Sequence, residues 1–262
     1  MAGQRVYDQI IETVFLRHYK PGAAEFDFDR VELETTASEL GLRVRNLGDI
    51  VYSFRFRIDW PEAISRTAPA GADWRIDGIG KGKYRFHLGR ICRIEPREGL
   101  RAIKIPDATP EIISHNALDD EQALLAKIRY NRLVDTFMGI TASSMQNHLR
   151  TTVLGMGQIE IDELYVGVNR FGAQFVVPVQ AKRLSDKVGA TQALQDMACC
   201  AEKFPGLVCR PVAAQFMDDQ VIAMLELADD EGEVQLVEEK HYRLVPAADI
   251  KKADLEAYRL QE

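Results

Sequence analysis

From Gln158 to Lys182 the chain gives up helical spacing and takes on the period of a strand. "QIEIDELYVGV" alternates apolar and polar residues, "AQFVVPVQAK" runs apolar, and "NRFG" between them places a glycine where a turn needs one. A long hairpin is predicted. Side chains two apart on a strand share a face. Gln180 and Lys182 therefore project together from the second strand, and Glu160 and Asp162 from the first. Closing the hairpin at "NRFG" puts Asp162 level with Val179 or Gln180. A carboxylate, an amide oxygen and an ammonium are expected to converge at its open end.

Such a set suits magnesium-dependent phosphodiester hydrolysis. Mg²⁺ takes oxygen ligands and keeps several waters, so a carboxylate and a carbonyl oxygen can hold it against a phosphate. The ion polarises the phosphoryl group and acidifies a bound water. A lysine beside it can orient that water and offset charge growing on the phosphate oxygens. Exposed acids facing exposed lysines across a hairpin give the same pattern for pairing alone.

An aspartate, a hairpin return into Gln-Ala-Lys on an apolar strand, then a helix: this order resembles the PD-(D/E)XK nuclease superfamily. Within it, "VQAKR" followed by "VG" at a helix start is similar to the Mrr-like restriction endonucleases, whose triplet carries glutamine. The resemblance covers roughly residues 120 to 216. It implies a restriction-endonuclease-like core, with a central mixed sheet flanked by helices, and Mg²⁺ as cofactor. It makes Asp162 the metal-binding aspartate, Gln180 the second ligand and Lys182 the catalytic lysine. Ile161 stands where a proline often precedes the aspartate, and Gln180 brings no charge where many members have a carboxylate. Glu160, or Glu121 on the preceding helix, can supply the missing carboxylate; on geometry Glu160 is slightly favoured. Arg183 and Lys187 flank the triplet and are candidates for backbone contact.

The N-terminal part has a different order. "RVYDQIIETVFLRHY", "FDRVELETTASELGL" and "RNLGDIVYSFRFR" read as three helices, the second with Val31, Leu33, Ala37 and Leu40 inward. "DWRIDGIGKGKYRFHLG" reads as a hairpin with a basic tip. Three helices and a hairpin resemble a winged helix-turn-helix. That arrangement implies a recognition helix opened by Arg43, Arg45 and Asn46, residue types that pair with guanine and adenine in the major groove. Lys81, Lys83 and Arg85 on the hairpin would grip phosphates. Binding of another protein is the competing use.

The expected organisation is therefore mixed α+β: a winged-helix-like recognition domain over 1–105, a linker over 106–120 ("PDATPEIISHNALDD") and a catalytic domain over 121–262. After the linker a helical block, "DEQALLAKIRYNRLVDTFMG", is followed by "TASSMQNHLRTT", expected as a second helix capped by Thr141, with His148 and Arg150 near its end. The remainder reads as helix, three strands and a closing helix.

Net charge is −7, but unevenly spread. Residues 1–105 carry 18 basic and 15 acidic side chains, leaving 15 and 25 for the rest. The first part can meet a phosphate backbone; the second needs a metal or a local groove to do so. Cys92, Cys199, Cys200 and Cys209 show no CxxC spacing and are expected as buried free thiols. No run is long and apolar enough for a bilayer, and the opening residues lack a signal-peptide pattern, so a cytoplasmic protein without membrane contact is expected. The partner implied is double-stranded DNA, and cutting both strands calls for a homodimer. A DNA-binding regulator with a ligand-sensing or oligomerising C-terminal domain is the alternative.

Overall fold

The computed structural model describes residues 2–56, 58–90, 94–117, 121–154, 156–183, 188–218, 220–230 and 232–259. The N-terminal body opens with α1 (Ala2–His18), whose Ile10, Ile11, Val14 and Phe15 are fully buried. β1 (Glu25–Asp29) runs directly into α2 (Arg30–Glu39), and the Glu32 side chain accepts the Asp29 N–H at 2.8 Å to close the helix start. α3 (Gly48–Phe56), the short α4 (Glu62–Ser65) and the hairpin of β2 (Ala72–Gly80) and β3 (Lys83–Arg90) complete it. The three strands form an antiparallel sheet in the order β1-β3-β2. Phe15, Phe28, Phe54, Trp74 and Phe86 pack with α1 into one core, each such side chain contributing about 1.5–3 kcal/mol by leaving water. Within α2, Leu33 and Ala37 point inward as expected, but Val31 and Leu40 are exposed and Thr36 is buried in their stead.

The second body is a mixed sheet flanked by helices. β4 (Ala102–Pro106) comes first, then α5 (Glu111–Asn116), α6 (Glu121–Tyr130) and α7 (Leu133–Met138). β5 (Thr141–Val153), β6 (Gly157–Val168) and β7 (Gln174–Lys182) follow as a meander, then α8 (Ala190–Lys203). β8 (Val208–Cys209), β9 (Val212–Asp218), β10 (Val221–Asp230), β11 (Glu233–Val245) and α9 (Lys252–Arg259) end the chain's ordered elements. The strand order is β4-β11-β10-β9-β7-β6-β5, with β8 beside β7. β7 is parallel to β8 and β9, and β4 is parallel to β11; the other pairs are antiparallel.

Alternation along β7 divides the layers. Val177, Val179 and Ala181 meet Leu124, Leu125 and Ile128 of α6 and Val134 and Phe137 of α7. Val176 faces the other way, toward Cys199 and Cys200 of α8. Gln180 and Lys182 share the α8 side with it.

Three expectations are corrected. "TASSMQNHLRTT" is the strand β5, and Thr141 opens that strand and caps no helix. The span 106–120, expected as a bare linker, contains α5. β4, expected on the recognition side of residue 105, belongs to the large sheet through its pairing with β11. The hairpin register is the second of the two anticipated: Glu163 pairs with Val179, which leaves Asp162 level with Gln180. Gly172, at φ +82°, supplies the left-handed residue of the "NRFG" turn. Cys199 and Cys200 are buried free thiols and Cys209 is half-buried; Cys92 lies outside the described residues.

Candidate active site

The open end of the β6–β7 hairpin brings Asp162 and Lys182 together as the alternation requires. The Ala181 N–H donates to Asp162 Oδ2 at 2.9 Å, which pins the carboxylate against the triplet strand. No hydrogen bond occupies Oδ1 among the described residues. Lys182 Nζ lies 3.5 Å from Glu121 Oε1 at the first turn of α6, and the lysine is mostly buried. Burial pushes the Asp162 carboxyl above the usual range, against the pull of Lys182 and of the Ala181 N–H. Glu121 adds to that push and His148 opposes it. Asp162, Lys182, Glu121 and His148 thus form one electrostatic cluster.

Gln180 is placed differently from expectation. It is 2% exposed and turned into α8. Its Nε2 donates to Asp196 Oδ2 (2.8 Å) and to the Glu160 carbonyl (3.2 Å), while its Oε1 accepts from Gln192 Nε2 at 2.7 Å. The amide is therefore a brace between β7 and α8. Asp196 is itself enclosed, and its Oδ1 has no partner among the described residues. Burial raises its carboxyl well above the ordinary range despite the Gln180 hydrogen bond, and the nearby Asp162 charge pushes the same way. Burial thus favours the protonated form of Asp196.

Glu160 is drawn off by β5. Its Oε1 lies 3.4 Å from His148 Nδ1 and 3.2 Å from Arg150 Nη2. Glu121, the other carboxylate considered, lies beside Lys182. His148 and Arg150, expected at a helix end, stand on a strand beside the site. Arg183 is exposed, and Lys187 lies outside the described residues.

In the N-terminal body Arg43, Arg45 and Asn46 are exposed on the segment leading into α3. Asn46 caps that helix: its Oδ1 accepts the Gly48 N–H (3.0 Å) and its Nδ2 donates to Asp49 (3.1 Å). Lys81 and Lys83 are exposed at the hairpin tip. Arg85 is held by Asp27 through Nε (2.6 Å) and Nη2 (3.1 Å), with Glu25 3.6 Å away. Of the six basic and amide candidates, two are already partnered within the fold.

Sequence reasoning missed Gln192 and Asp196. The signal was present: four residues apart, they share one face of α8, beside the buried Gln195 and the apolar Ala193, Cys199 and Cys200. Among the described residues no group of three or more His, Cys, Asp or Glu side chains is arranged to hold a metal ion. Asp162 and Glu121 do offer two carboxylates around one ammonium, the complement with which Mg²⁺ is commonly bound alongside a phosphate. No described helix is long and apolar enough to cross a membrane. The chain matches no family model, no curated protein and no solved structure.

Proposed function

We propose that this protein is a Mg²⁺-dependent endodeoxyribonuclease of the PD-(D/E)XK kind, acting on double-stranded DNA. The convergence of Asp162, Lys182 and Glu121 at the open end of the β6–β7 hairpin carries the reading. Asp162 and Glu121 would hold the ion, since Asp162 keeps Oδ1 free of hydrogen bonds among the described residues and Glu121 stands beside the same lysine. When bound, Mg²⁺ supplies charge for the phosphate and acidifies a water. Lys182 then orients the attacking water and stabilises the charge developing on the phosphate oxygens. Gln180 fixes the height of Lys182 by tying β7 to α8.

A winged-helix role for the N-terminal body is supported by its element order, by the strand order β1-β3-β2 and by the exposed Arg43, Arg45, Lys81 and Lys83. Cleavage of both strands would use two such sites, hence a homodimer. Restriction of foreign DNA is the setting that suits such an enzyme.

The test is plasmid cleavage with and without Mg²⁺ by wild type and Lys182→Ala, on unmodified and methylated DNA. Metal-dependent nicking or linearisation by wild type is expected, with a loss of about 10²–10³-fold in the variant. Equal activity of the two proteins, or none by wild type on either DNA, would sink the proposal.

A further inference from the structure

β5 is the outermost strand of the large sheet, and its free side pairs with nothing among the described residues. Long edge strands invite unwanted pairing and are usually covered or broken up. Here the strand is bare: every residue from Ser143 to His148 is exposed, although Glu163, Leu164 and Tyr165 opposite are buried. The sequence of this region is also unlike its surroundings. From Thr136 to Ile159 there is no Asp or Glu, in a chain that carries 40 of them and a net charge of −7. In place of acids stand serines, Gln146, Asn147, His148 and Arg150.

The register sets these side chains beside the cleavage centre. Gln146 pairs with Leu164, Asn147 with Glu163, Leu149 with Ile161 and Arg150 with Glu160, so His148 stands opposite Asp162. Opposed residues on antiparallel strands share a face. Gln146, His148 and Arg150 therefore form a row alongside Asp162 and Glu160. Two irregularities re-aim the row. Met145 is the extra residue of a bulge, and His148 sits at φ +48°, a left-handed conformation that strains a non-glycine residue. Both interrupt the regular ladder that pairing with a second copy would need.

We infer that β5 is the strand that seats the DNA duplex, with Gln146 reading base edges and Arg150 and His148 taking a backbone phosphate. This rests on the nuclease reading and names the part of that site that would set sequence preference. An amide side chain suits adenine, with both its hydrogen-bonding groups used at once. Arg150 pairs with Glu160 at the surface and His148 lies beside the same carboxylate, exposed contacts that are weak and yield readily to a phosphate. A strand without carboxylates is what a polyanion requires of a surface it approaches closely.

The experiment uses the full chain, a fluorescein-labelled random-sequence duplex for affinity with salt titration, and sequencing of cut ends in Mg²⁺. Wild type, Arg150→Ala and Gln146→Ala are compared, with melting temperature and sedimentation recorded for each. Arg150→Ala should weaken binding to all sequences alike and reduce the salt dependence by about one counterion. Gln146→Ala should lose on the order of tenfold at preferred sites and relax the cut-end consensus. Should alanine perturb the fold, Gln146→Glu at the same exposed position gives the same readout by repulsion. Unchanged affinity and an unchanged consensus overturn the inference. A variant that alters only the oligomeric state overturns it too, and makes β5 a contact between copies. Wild type that neither binds nor cuts duplex removes the nuclease reading itself, a result seen before any variant is compared.

Discussion

The link between α6 and β6 sets where Glu121 stands relative to Asp162, and its loss should be costly in one direction only. Arg129 Nε donates to Glu163 Oε1 at 2.8 Å, with Arg129 36% exposed and Glu163 not exposed at all. Glu163 Oε2 has no partner among the described residues, so the carboxylate depends heavily on this one guanidinium. Arg129→Ala strands a buried charge. Breaking such a pair typically costs 3–5 kcal/mol, and the partial exposure of the arginine, which lets water in behind it, points to about 3 kcal/mol. Glu163→Leu removes the buried charge instead and frees an arginine that can already reach solvent, so its cost should stay below about 1 kcal/mol. The double variant Arg129→Ala/Glu163→Leu should also lie within about 1 kcal/mol of wild type, giving a coupling of roughly 2 kcal/mol or more. Urea denaturation followed by far-ultraviolet circular dichroism is the assay, because Trp60 and Trp74 both sit in the N-terminal body and would report that body alone. Equal costs for the two single variants would refute the reasoning, since they would mean that Glu163 is hydrated after Arg129 is gone. In the same samples Arg129→Ala should lower cleavage even where the protein remains folded, as α6 and Glu121 drift from Lys182.

Two further outcomes follow from enclosed groups. The folded protein holds a proton on Asp196 that the unfolded chain releases above about pH 3.9, so this carboxyl costs stability as pH rises toward its raised folded value. Asp196→Asn does not titrate, and its stability advantage over wild type should grow by up to about 1.4 kcal/mol per pH unit across that window. Urea midpoints between mildly acidic and neutral pH check it; a pH-independent difference would show that the charge is compensated. Gly167→Ala would put a Cβ 2.9 Å from the Thr141 carbonyl oxygen and 3.2 Å from Ala142 Cα. The strand must shift, at about 1–3 kcal/mol, and faster hydrogen exchange of β5 amides should report it.

Much of the hairpin was legible because its information is local. An apolar strand, a glycine turn and the two-residue period are enough to set Asp162 against the Gln-Ala-Lys strand. β5 was not legible for the same physical reason. An edge strand exposed on both faces needs no apolar alternation, and Met145 and Leu149, four apart, mimic one helix face. β1 was lost because Glu25–Asp29 runs without a break into a helix start. The fate of Gln180 depended on Gln192 and Asp196, a helix away, and the partners of Glu160 depended on where His148 and Arg150 lie. Sequence spacing ranks such side chains by reach along an element, whereas these contacts cross between elements.

The parallel pairing of β4 with β11 has a consequence for how the chain can be divided. A fragment cut at residue 121 would lack Ala102–Pro106 and so leave the outer side of β11 as raw, unpaired backbone across His241 to Val245. It would also discard the Arg97 guanidinium and N–H, which hold the wholly enclosed Glu239, itself bonded to His241. Such a fragment would be sticky and strained at one margin for reasons unrelated to its chemistry, and its precipitation would say nothing about activity. The boundary that respects the architecture falls before Arg97, ahead of the strand that a reader of composition would assign to the other half.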